Sequence, residues 1–143
     1  MSISVRTQTD FDSIPLDYDG IIEIRNTPEM IKIDGRGAIV VALDNSAIDA
    51  HGHSNIEAKE NSVVIAHDDS YVDAYDNSLI EAYGNSKVIA RMHSHIIAYG
   101  HSTVDAYGHS TVEARENSVV TGDCKSIILA YDNSRVKFKR RPT

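Results

Sequence analysis

Residues 42–137 divide without remainder into twelve copies of an eight-residue unit. Written from its alanine, the unit is A-x-(G/D/E)-(N/H/D)-S-x-(V/I)-x. Its fifth position is Ser and its seventh is Val or Ile in all twelve copies, and its first is Ala in eleven, with Gly122 as the exception. One unit alone buries too little apolar surface to be stable, so this pattern predicts a solenoid in which the units stack on one another.

The order of residue types within the unit indicates one short β-strand and one corner. Ser, then Val or Ile, then Ala recur at every second position, which is typical of a strand with one buried face. Gly, Asp, Asn and His follow the alanine, and these residues favour turns. We therefore predict that positions five, seven and one point into a narrow core and that positions six, eight and two face outward. The inward serine is expected to bond to other serines or to corner backbone groups, which is a structural and not a catalytic role.

Two coil sizes fit this unit: a flattened coil of two units, with two strands, and a triangular coil of three units, with three strands. Like residues tend to stack in ladders on neighbouring strands, so the outward positions distinguish the two. At a spacing of 24 residues the outward positions align side chains of the same type, whereas at a spacing of 16 residues they align Tyr with Lys, Arg and Asp. The comparison favours the triangular coil. The ladders that it predicts are Tyr83 with Tyr107 and Tyr131, His51 with Tyr75 and Tyr99, Asp49 with Asp73, and Glu57 with Glu81 and Asp105.

The predicted fold is therefore an all-β, single-chain parallel β-solenoid with about 24 residues per triangular coil. A right-handed coil is expected, because parallel strand connections are nearly always right-handed. Residues 34–137 form the repeat body, since residues 34–41 already fit a degenerate first unit, and residues 138–143 form a basic tail. Residues 1–33 are expected to cap the first coil and protect its open edge. Within this cap the sequence predicts a helical turn over residues 9–15 and strands over residues 21–25 and 30–33.

The charge of the chain argues against nucleic acid as its main partner. The formal net charge is −7, and residues 42–137 contain fourteen acidic and seven basic residues. Phosphate binding needs clustered Lys and Arg, which only the tail at residues 138–143 offers. Direct nucleic-acid binding is therefore not expected except through that tail, where charges and a proline also serve to protect an exposed strand edge.

The sequence contains no signal for a membrane or for export. No segment approaches the roughly 20 apolar residues that a membrane span needs, and the N-terminus lacks the apolar stretch of a secretory signal. Cys124 is the single cysteine and can form no internal disulfide. A cytoplasmic location is expected.

Histidines and carboxylates are numerous, but their spacing predicts neither a metal centre nor a catalytic site. His93 and His109 occupy the corner position usually filled by Asn, and in a triangular coil those corners face different directions. A coil of two units would instead stack His93 over His109 and would reopen the question of zinc or nickel binding. Asp68 and Asp69 follow His67 on a convex corner, where no pocket would desolvate them. We expect no catalytic residue, no metal and no cofactor.

The outward ladders predict a surface for binding. Tyr offers a large contact area at a small entropic cost, although stacked Tyr also stabilises neighbouring strands. Regularly spaced carboxylates can imitate a nucleic-acid backbone and occupy the basic groove of a protein that handles DNA or RNA. The ten predicted partner-binding residues are the five tyrosines Tyr75, Tyr83, Tyr99, Tyr107 and Tyr131 and the five acids Asp49, Asp73, Glu57, Glu81 and Asp105. The alternative is a structural solenoid that assembles through its ends, including a homodimer through the C-terminal end. Ice or glycan binding is less favoured, because outward Thr residues are few.

The run Ala98–Glu113, AYGHSTVDAYGHSTVE, resembles the octapeptide-repeat proteins of bacteriophages, prophages and mobile elements, which repeat A-Y-G-(N/S)-S-x-V. The resemblance covers about two thirds of the chain. It implies a phage or prophage protein in a bacterial host cell, and it transfers no catalytic residue. Small acidic phage proteins often block host machinery, including CRISPR nucleases, so the resemblance favours an inhibitor of a host nucleic-acid-handling protein. The corresponding alternative is a virion part or spacer.

Overall fold

Short parallel strands, joined by tight corners, wind into a β-solenoid that takes up almost the whole of the described chain. The structure is a computed structural model and describes residues 2–35 and 38–138. Among these residues there are sixteen strands, nine in one sheet and seven in the other. The predicted fold class, an all-β parallel solenoid, is confirmed.

Successive strands of the repeat body alternate between two sheets, which we call sheet A and sheet B. Sheet A contains, in spatial order, β1 (Ser2–Val5), β2 (Ile21–Arg25), β4 (Ile39–Leu43), β6 (Asn55–Ala58), β8 (Tyr71–Ala74), β10 (Lys87–Ala90), β12 (Thr103–Ala106), β14 (Val119–Gly122) and β16 (Arg135–Phe138). Sheet B contains β3 (Ile31–Ile33), β5 (Ala47–Ala50), β7 (Val63–Ala66), β9 (Leu79–Ala82), β11 (His95–Ala98), β13 (Thr111–Ala114) and β15 (Ile127–Ala130). From β5 to β15, each strand spans positions six, seven and eight of one unit and the first residue of the next, which is Ala except for Gly122 in β14.

Each coil consists of two eight-residue units and two strands, so the predicted triangular coil of three units is wrong. Strand β10 pairs with β8 on one side and with β12 on the other. Lys87 thereby lies opposite Tyr71 and Thr103, which precede and follow it by two units along the chain. The solenoid is consequently a flat, two-sided body, whereas the hand of the coil stays a prediction.

The sequence comparison failed because it assumed that only like residues stack. In the two-unit coil, the Arg91 guanidinium carbon lies 5.6 Å from the ring centre of Tyr75 and 5.7 Å from that of Tyr107. A cation over an aromatic face is attracted to it and adds about 0.5–1 kcal/mol at an exposed site. A ladder that mixes Tyr with Arg is therefore favourable, and its mixed composition was not evidence against the smaller coil.

The core is a narrow column of small and branched side chains. From β5 to β13, every Val or Ile at position seven and every Ala at position one is fully buried, as Ile80 and Ala82 are in β9. The serines at position five are buried with them from Ser46 to Ser118. The predicted set of inward residues is thus confirmed, and the exterior is left to positions two, six and eight.

The buried serines behave differently at the two edges of the solenoid. At corners that lead from sheet B to sheet A, the hydroxyl donates to the carbonyl three residues earlier, as Ser86 does to Tyr83 at 2.9 Å. At the opposite corners the hydroxyls of Ser46, Ser62, Ser78, Ser94 and Ser110 make no hydrogen bond within the described part of the chain. Ser126, in the last corner of that opposite edge, is the exception and donates to the Asp123 carbonyl at 2.9 Å. The predicted bond to the corner backbone is therefore confirmed throughout one edge and only at Ser126 on the other, so the two edges are not equivalent.

The N-terminal segment continues both sheets. Strands β2 and β3 confirm the strands predicted over residues 21–25 and 30–33, and they pair with β4 and β5. The predicted helical turn is α1 (Gln8–Asp12), which begins with a capping box formed by Thr7 and Asp10. Phe11 of this helix is buried, and the helix contacts β1 and β3. Among the described residues no helix has the length and apolarity to cross a membrane.

The boundaries of the predicted domains stay predictions. Residues 36 and 37 of the degenerate first unit lie outside the described residues. Of the predicted basic tail, Phe138 is described as the last residue of β16, and residues 139–143 lie outside the description.

Candidate binding surfaces

The side chains at position two form a ladder along each edge of the solenoid. The aromatic edge, at corners that lead from sheet B to sheet A, consists of His51, His67, Tyr83, Tyr99, Arg115 and Tyr131. The mixed edge, at corners that lead from sheet A to sheet B, consists of Leu43, Lys59, Tyr75, Arg91, Tyr107 and Asp123. Successive members of one edge are two units apart in the chain, so each lies beside the equivalent residue of the next coil.

The aromatic edge is a stack of nearly parallel rings. The rings of Tyr83 and Tyr99 are 4.8 Å apart with an angle of 3° between their planes. His67 stacks on Tyr83 at 5.3 Å, and the Arg115 guanidinium lies 4.8 Å from the ring centre of Tyr131. Burial raises the pKa of the Tyr83 hydroxyl, with the neighbouring Glu81 carboxylate adding to the effect. The Tyr83 hydroxyl therefore stays protonated well above neutral pH.

The mixed edge is held by alternating rings and cations. The Lys59 ammonium lies 5.7 Å from the ring centre of Tyr75, and Arg91 lies on the other side of that ring. Asp73 joins this ladder from the sheet surface: its carboxylate accepts from the Tyr75 hydroxyl at 2.9 Å and from Arg91 Nε at 3.1 Å. These hydrogen bonds raise the pKa of the Tyr75 hydroxyl and of the Arg91 guanidinium. The edge is therefore a connected network rather than a set of separate side chains.

The predicted partner-binding residues do not form the predicted columns, because those columns assumed three faces. Of the tyrosines, Tyr83, Tyr99 and Tyr131 lie on the aromatic edge and Tyr75 and Tyr107 on the mixed edge. Of the acids, Glu57, Asp73 and Asp105 lie on sheet A and Asp49 and Glu81 on sheet B. On sheet B acidic and apolar side chains alternate from coil to coil, as Asp49 does with Ile65 and Ile65 with Glu81. Carboxylates of sheet B are thus separated by two coils instead of stacked.

Four of the five predicted acids are engaged by neighbouring side chains of this chain. The contacts are Asp49 Oδ1 with His51 Nε2 at 3.1 Å, Glu57 with Lys59 Nζ at 3.5 Å, Asp73 with Arg91 Nε at 3.1 Å, and Glu81 accepting from the Tyr83 hydroxyl at 3.2 Å. Lys59 and Arg91 thereby pair two of the five carboxylates, Glu57 and Asp73, with a cation, whereas the Tyr83 hydroxyl leaves the charge of Glu81 in place. The contact of Asp49 with His51 is an ion pair only when the histidine is protonated. The structure therefore gives little support to an array of free carboxylates.

Another group of carboxylates, which the sequence reasoning did not single out, connects successive coils at the corners. The backbone is left-handed at position three of the unit, which lies in the corner, as the φ angles of 59° at Asp68 and 66° at Gly84 show. A carboxylate at this position accepts from the backbone N–H of the same position one coil earlier, as Asp68 Oδ2 does from Gly52 at 3.0 Å and Asp76 Oδ2 from Glu60 at 3.0 Å. Part of the acidic excess therefore satisfies corner backbone groups, which would otherwise depend on water.

Asp123 bonds the corner backbone in a related way from position two. Its Oδ2 accepts from the Gly108 N–H at 3.0 Å, and its Oδ1 accepts from Lys125 and Ser126. Burial of the carboxyl opposes its ionisation, but the three N–H donors outweigh that burial and lower the pKa of Asp123. The sequence signal for the contacts between coils was the recurrence of acids at every second unit, such as Glu60 and Asp76.

The C-terminal end of the solenoid exposes its core. Within the described residues, β15 and β16 are the last strands of their sheets. Their inward residues Ile128 and Val136 are half-buried and Ala130 is exposed, in contrast to the full burial of equivalent positions in earlier coils. The outward residues Ile127 and Leu129 are 58% and 43% exposed, and Phe138, at the inward position opposite Gly122, is 65% exposed. This end combines two unpaired strand edges with an apolar surface.

Gly122 shapes the same end. A β-carbon at this position would lie 2.7 Å from Ser126 Oγ and would clash with Ile128 Cδ1. This explains why Gly122 replaces the alanine found at the first position of the other units: in the last coil, Ile128 occupies the space that an alanine methyl would need. The opposite end is different, since α1 covers part of it with the buried Phe11.

Comparison of the chain with protein-family models, with curated proteins and with solved structures finds no match. The repeating β-solenoid is established by the coordinates. The phage-type octapeptide family stays a prediction from the sequence resemblance.

Proposed function

We propose that this protein is a non-catalytic binding protein that dimerises through the C-terminal ends of two solenoids. The observation that carries the proposal is the open last coil, where β15 and β16 leave Ile128, Ala130 and Val136 uncovered. An unpaired strand edge next to an apolar surface is a strong site for pairing with another strand. Stable proteins cover such an edge, and residues 2–35 and 38–138 supply no cover at this end.

A second copy of the chain fits this end better than an unrelated partner. The end presents two strand edges, one from each sheet, at the fixed separation of the two sheets. A second solenoid end presents two edges at the same separation, so both sheets are continued at once. The partial cover that α1 gives to the N-terminal end favours a closed, two-fold dimer over an open filament.

The charges on the last strands select one arrangement of the dimer. A two-fold axis parallel to the strands pairs β16 of one protomer with β15 of its partner in antiparallel fashion. Arg135 and Lys137 of β16 then lie beside the apolar Ile127 and Leu129 of β15. Pairing β16 with β16 would instead bring those basic residues together, and like charges opposite one another destabilise a strand pair.

Leu129→Lys is expected to convert the dimer to a monomer and to raise the dissociation constant by about tenfold or more, because it places a cation beside Arg135 and Lys137. Leu79→Lys is the matched control, since Leu79 has a similar exposure of 37% in the middle of sheet B. Light scattering coupled to size exclusion at micromolar concentration measures the mass. A wild-type monomer, or a Leu129→Lys dimer as tight as the wild type, would overturn the proposal.

The second candidate function is inhibition of a host protein that handles nucleic acid, as the phage resemblance suggests. It is favoured by the net charge of −7 and by the continuous stack of the aromatic edge, which offers a rigid surface to a partner. It is disfavoured by the ion pairs with Lys59 and Arg91, which engage two of the five predicted acids, Glu57 and Asp73.

Under this second function, capture of a nuclease or similar protein from bacterial lysate is expected to be lost in Tyr99→Ala. Tyr71→Ala is the control, because Tyr71 lies on the face of sheet A and belongs to neither edge ladder. Captured proteins are identified by mass spectrometry. Equal capture by both variants, or capture of no protein that handles nucleic acid, contradicts the inhibitor function. Neither result bears on the proposed dimer.

A further inference from the structure

Three metal-binding side chains meet at the N-terminal part of the aromatic edge. His51 and His67 occupy the same position in successive coils, and Asp49 precedes His51 by two residues on the surface of sheet B. The Nε2 atom of each histidine lies 3.1 Å from Asp49 Oδ1. All three donor atoms lie within 4.8 Å of one another. The two-unit coil creates this cluster, because it alone places His67 directly over His51.

The shared oxygen of this cluster lacks directed partners. Asp49 Oδ1 is buried, yet it makes no hydrogen bond within the described residues, although two ring nitrogens are close to it. A buried carboxylate oxygen without directed hydrogen bonds is costly. A cation bound between the oxygen and the two nitrogens would remove that cost.

We propose that Asp49, His51 and His67 form a binding site for a divalent transition-metal ion, with Zn²⁺ as the best fit. Two imidazole nitrogens and one carboxylate oxygen are ordinary zinc ligands, with bond lengths of about 2.0–2.2 Å. Tetrahedral ligands at those bond lengths are roughly 3.3–3.5 Å apart, close to the 3.1 Å found here between each nitrogen and the oxygen. Mg²⁺ and Ca²⁺ prefer six or more oxygen ligands, and this cluster supplies one side-chain carboxylate.

Metal binding requires the two imidazole rings to rotate out of their parallel stack, so that one nitrogen of each ring points toward the ion. They are now stacked with centres 4.5 Å apart and an angle of 5°, so their nitrogen lone pairs run side by side instead of converging. The side chains of His51 and His67 are 45% and 33% exposed, which leaves room for this rotation. His67 also stacks on Tyr83, so its rotation changes the environment of that tyrosine. Binding therefore carries an optical signal of its own.

The surroundings of the cluster leave one coordination position open. His51 borders a groove of about 350 Å³ between α1 and β3, so a water or a small ligand can reach the ion from that side. Lys32 lies opposite Asp49 in the neighbouring strand and is a positive charge that weakens the binding of a cation. The expected affinity is therefore moderate, and the site is independent of the dimer end proposed above.

Calorimetric titration of the untagged, full-length protein with ZnCl₂ tests the site, with MgCl₂ as the comparison ion. We expect one Zn²⁺ per chain, no binding of Mg²⁺, and a loss of at least about tenfold in zinc affinity in both His67→Ala and Asp49→Asn. Zinc should also change the near-ultraviolet circular dichroism of tyrosine in the wild type and leave that of His67→Ala unchanged. Far-ultraviolet spectra establish that the variants are folded.

The chain contains a matched control for this site. His93 and His109 stack at 5.5 Å on the mixed edge, but no third donor joins them in the described structure. The double variant His93→Ala/His109→Ala should therefore bind Zn²⁺ as the wild type does. Absence of zinc binding, unchanged affinity in His67→Ala and Asp49→Asn, or loss of binding in the double control variant would each overturn the proposal.

Discussion

Replacing Ile96 by alanine is expected to lower the free energy of unfolding by about 2–5 kcal/mol. Ile96 is fully buried in β11, in the middle of sheet B, with β9 on one side and β13 on the other. The substitution removes buried apolar surface and leaves a cavity. Two hydrogen-bonded sheets enclose the core column, so the backbone cannot move in to fill that cavity, and the loss should fall toward the upper part of the range.

Ile97→Ala is the control, because it removes the same atoms from the next residue of the same strand. Ile97 faces outward and is half-buried, so its loss should stay near or below about 1 kcal/mol. Urea unfolding followed by far-ultraviolet circular dichroism gives both values. Equal losses in the two variants would mean that the strand does not separate an inward from an outward face.

The direction of each side chain in the repeat was predictable from the sequence alone. Ile80 and Ala82 are buried and Glu81 between them is outward, as the period-two pattern requires. This success has a local cause: in a strand, successive side chains point to opposite sides whatever lies next to that strand. The residues that form the core could therefore be assigned from the eight-residue unit alone, without knowing which strands lie next to each other.

The coil size was not predictable in the same way, because it depends on which strands are neighbours. The same unit can form two or three sides of a coil, and only contacts between coils distinguish the two. The prediction relied on tyrosine stacking on tyrosine, whereas Arg91 lies between Tyr75 and Tyr107. Planar cations and aromatic rings stack as readily as two rings do.

The candidate sites depend on this non-local information as well. His51 and His67 are two units apart in the chain, so their contact with each other and with Asp49 follows only from the correct coil. The same holds for the corner bond from the Gly52 N–H to Asp68. The exposure of Ile128 depends on the absence of a following coil in the described chain, which no repeat pattern indicates by itself.

A disulfide between positions 87 and 103 is expected to form readily and to stabilise the protein. Lys87 and Thr103 are register partners on β10 and β12 and both face outward. The α-carbons of such neighbours are about 4.8 Å apart, within the range of roughly 4.4–6.8 Å that a disulfide spans. Closing a loop of this size contributes about 3 kcal/mol. The variant is Lys87→Cys/Thr103→Cys with Cys124→Ser, so that the two new thiols are the only ones in the chain.

Lys87→Cys/Thr111→Cys in the same Cys124→Ser background is the matched control for the disulfide. Thr111 is the equivalent residue three units after Lys87, but it lies on β13 of sheet B and faces away from sheet A. Two sheets pack about 10 Å apart, too far for a disulfide without unwinding the coil. After mild oxidation of dilute protein, thiol titration in denaturant should find no thiols in the first variant and two per chain in the control. The reverse result is what a triangular coil of three units would give, since that coil places position 111 beside position 87 and moves position 103 to another face.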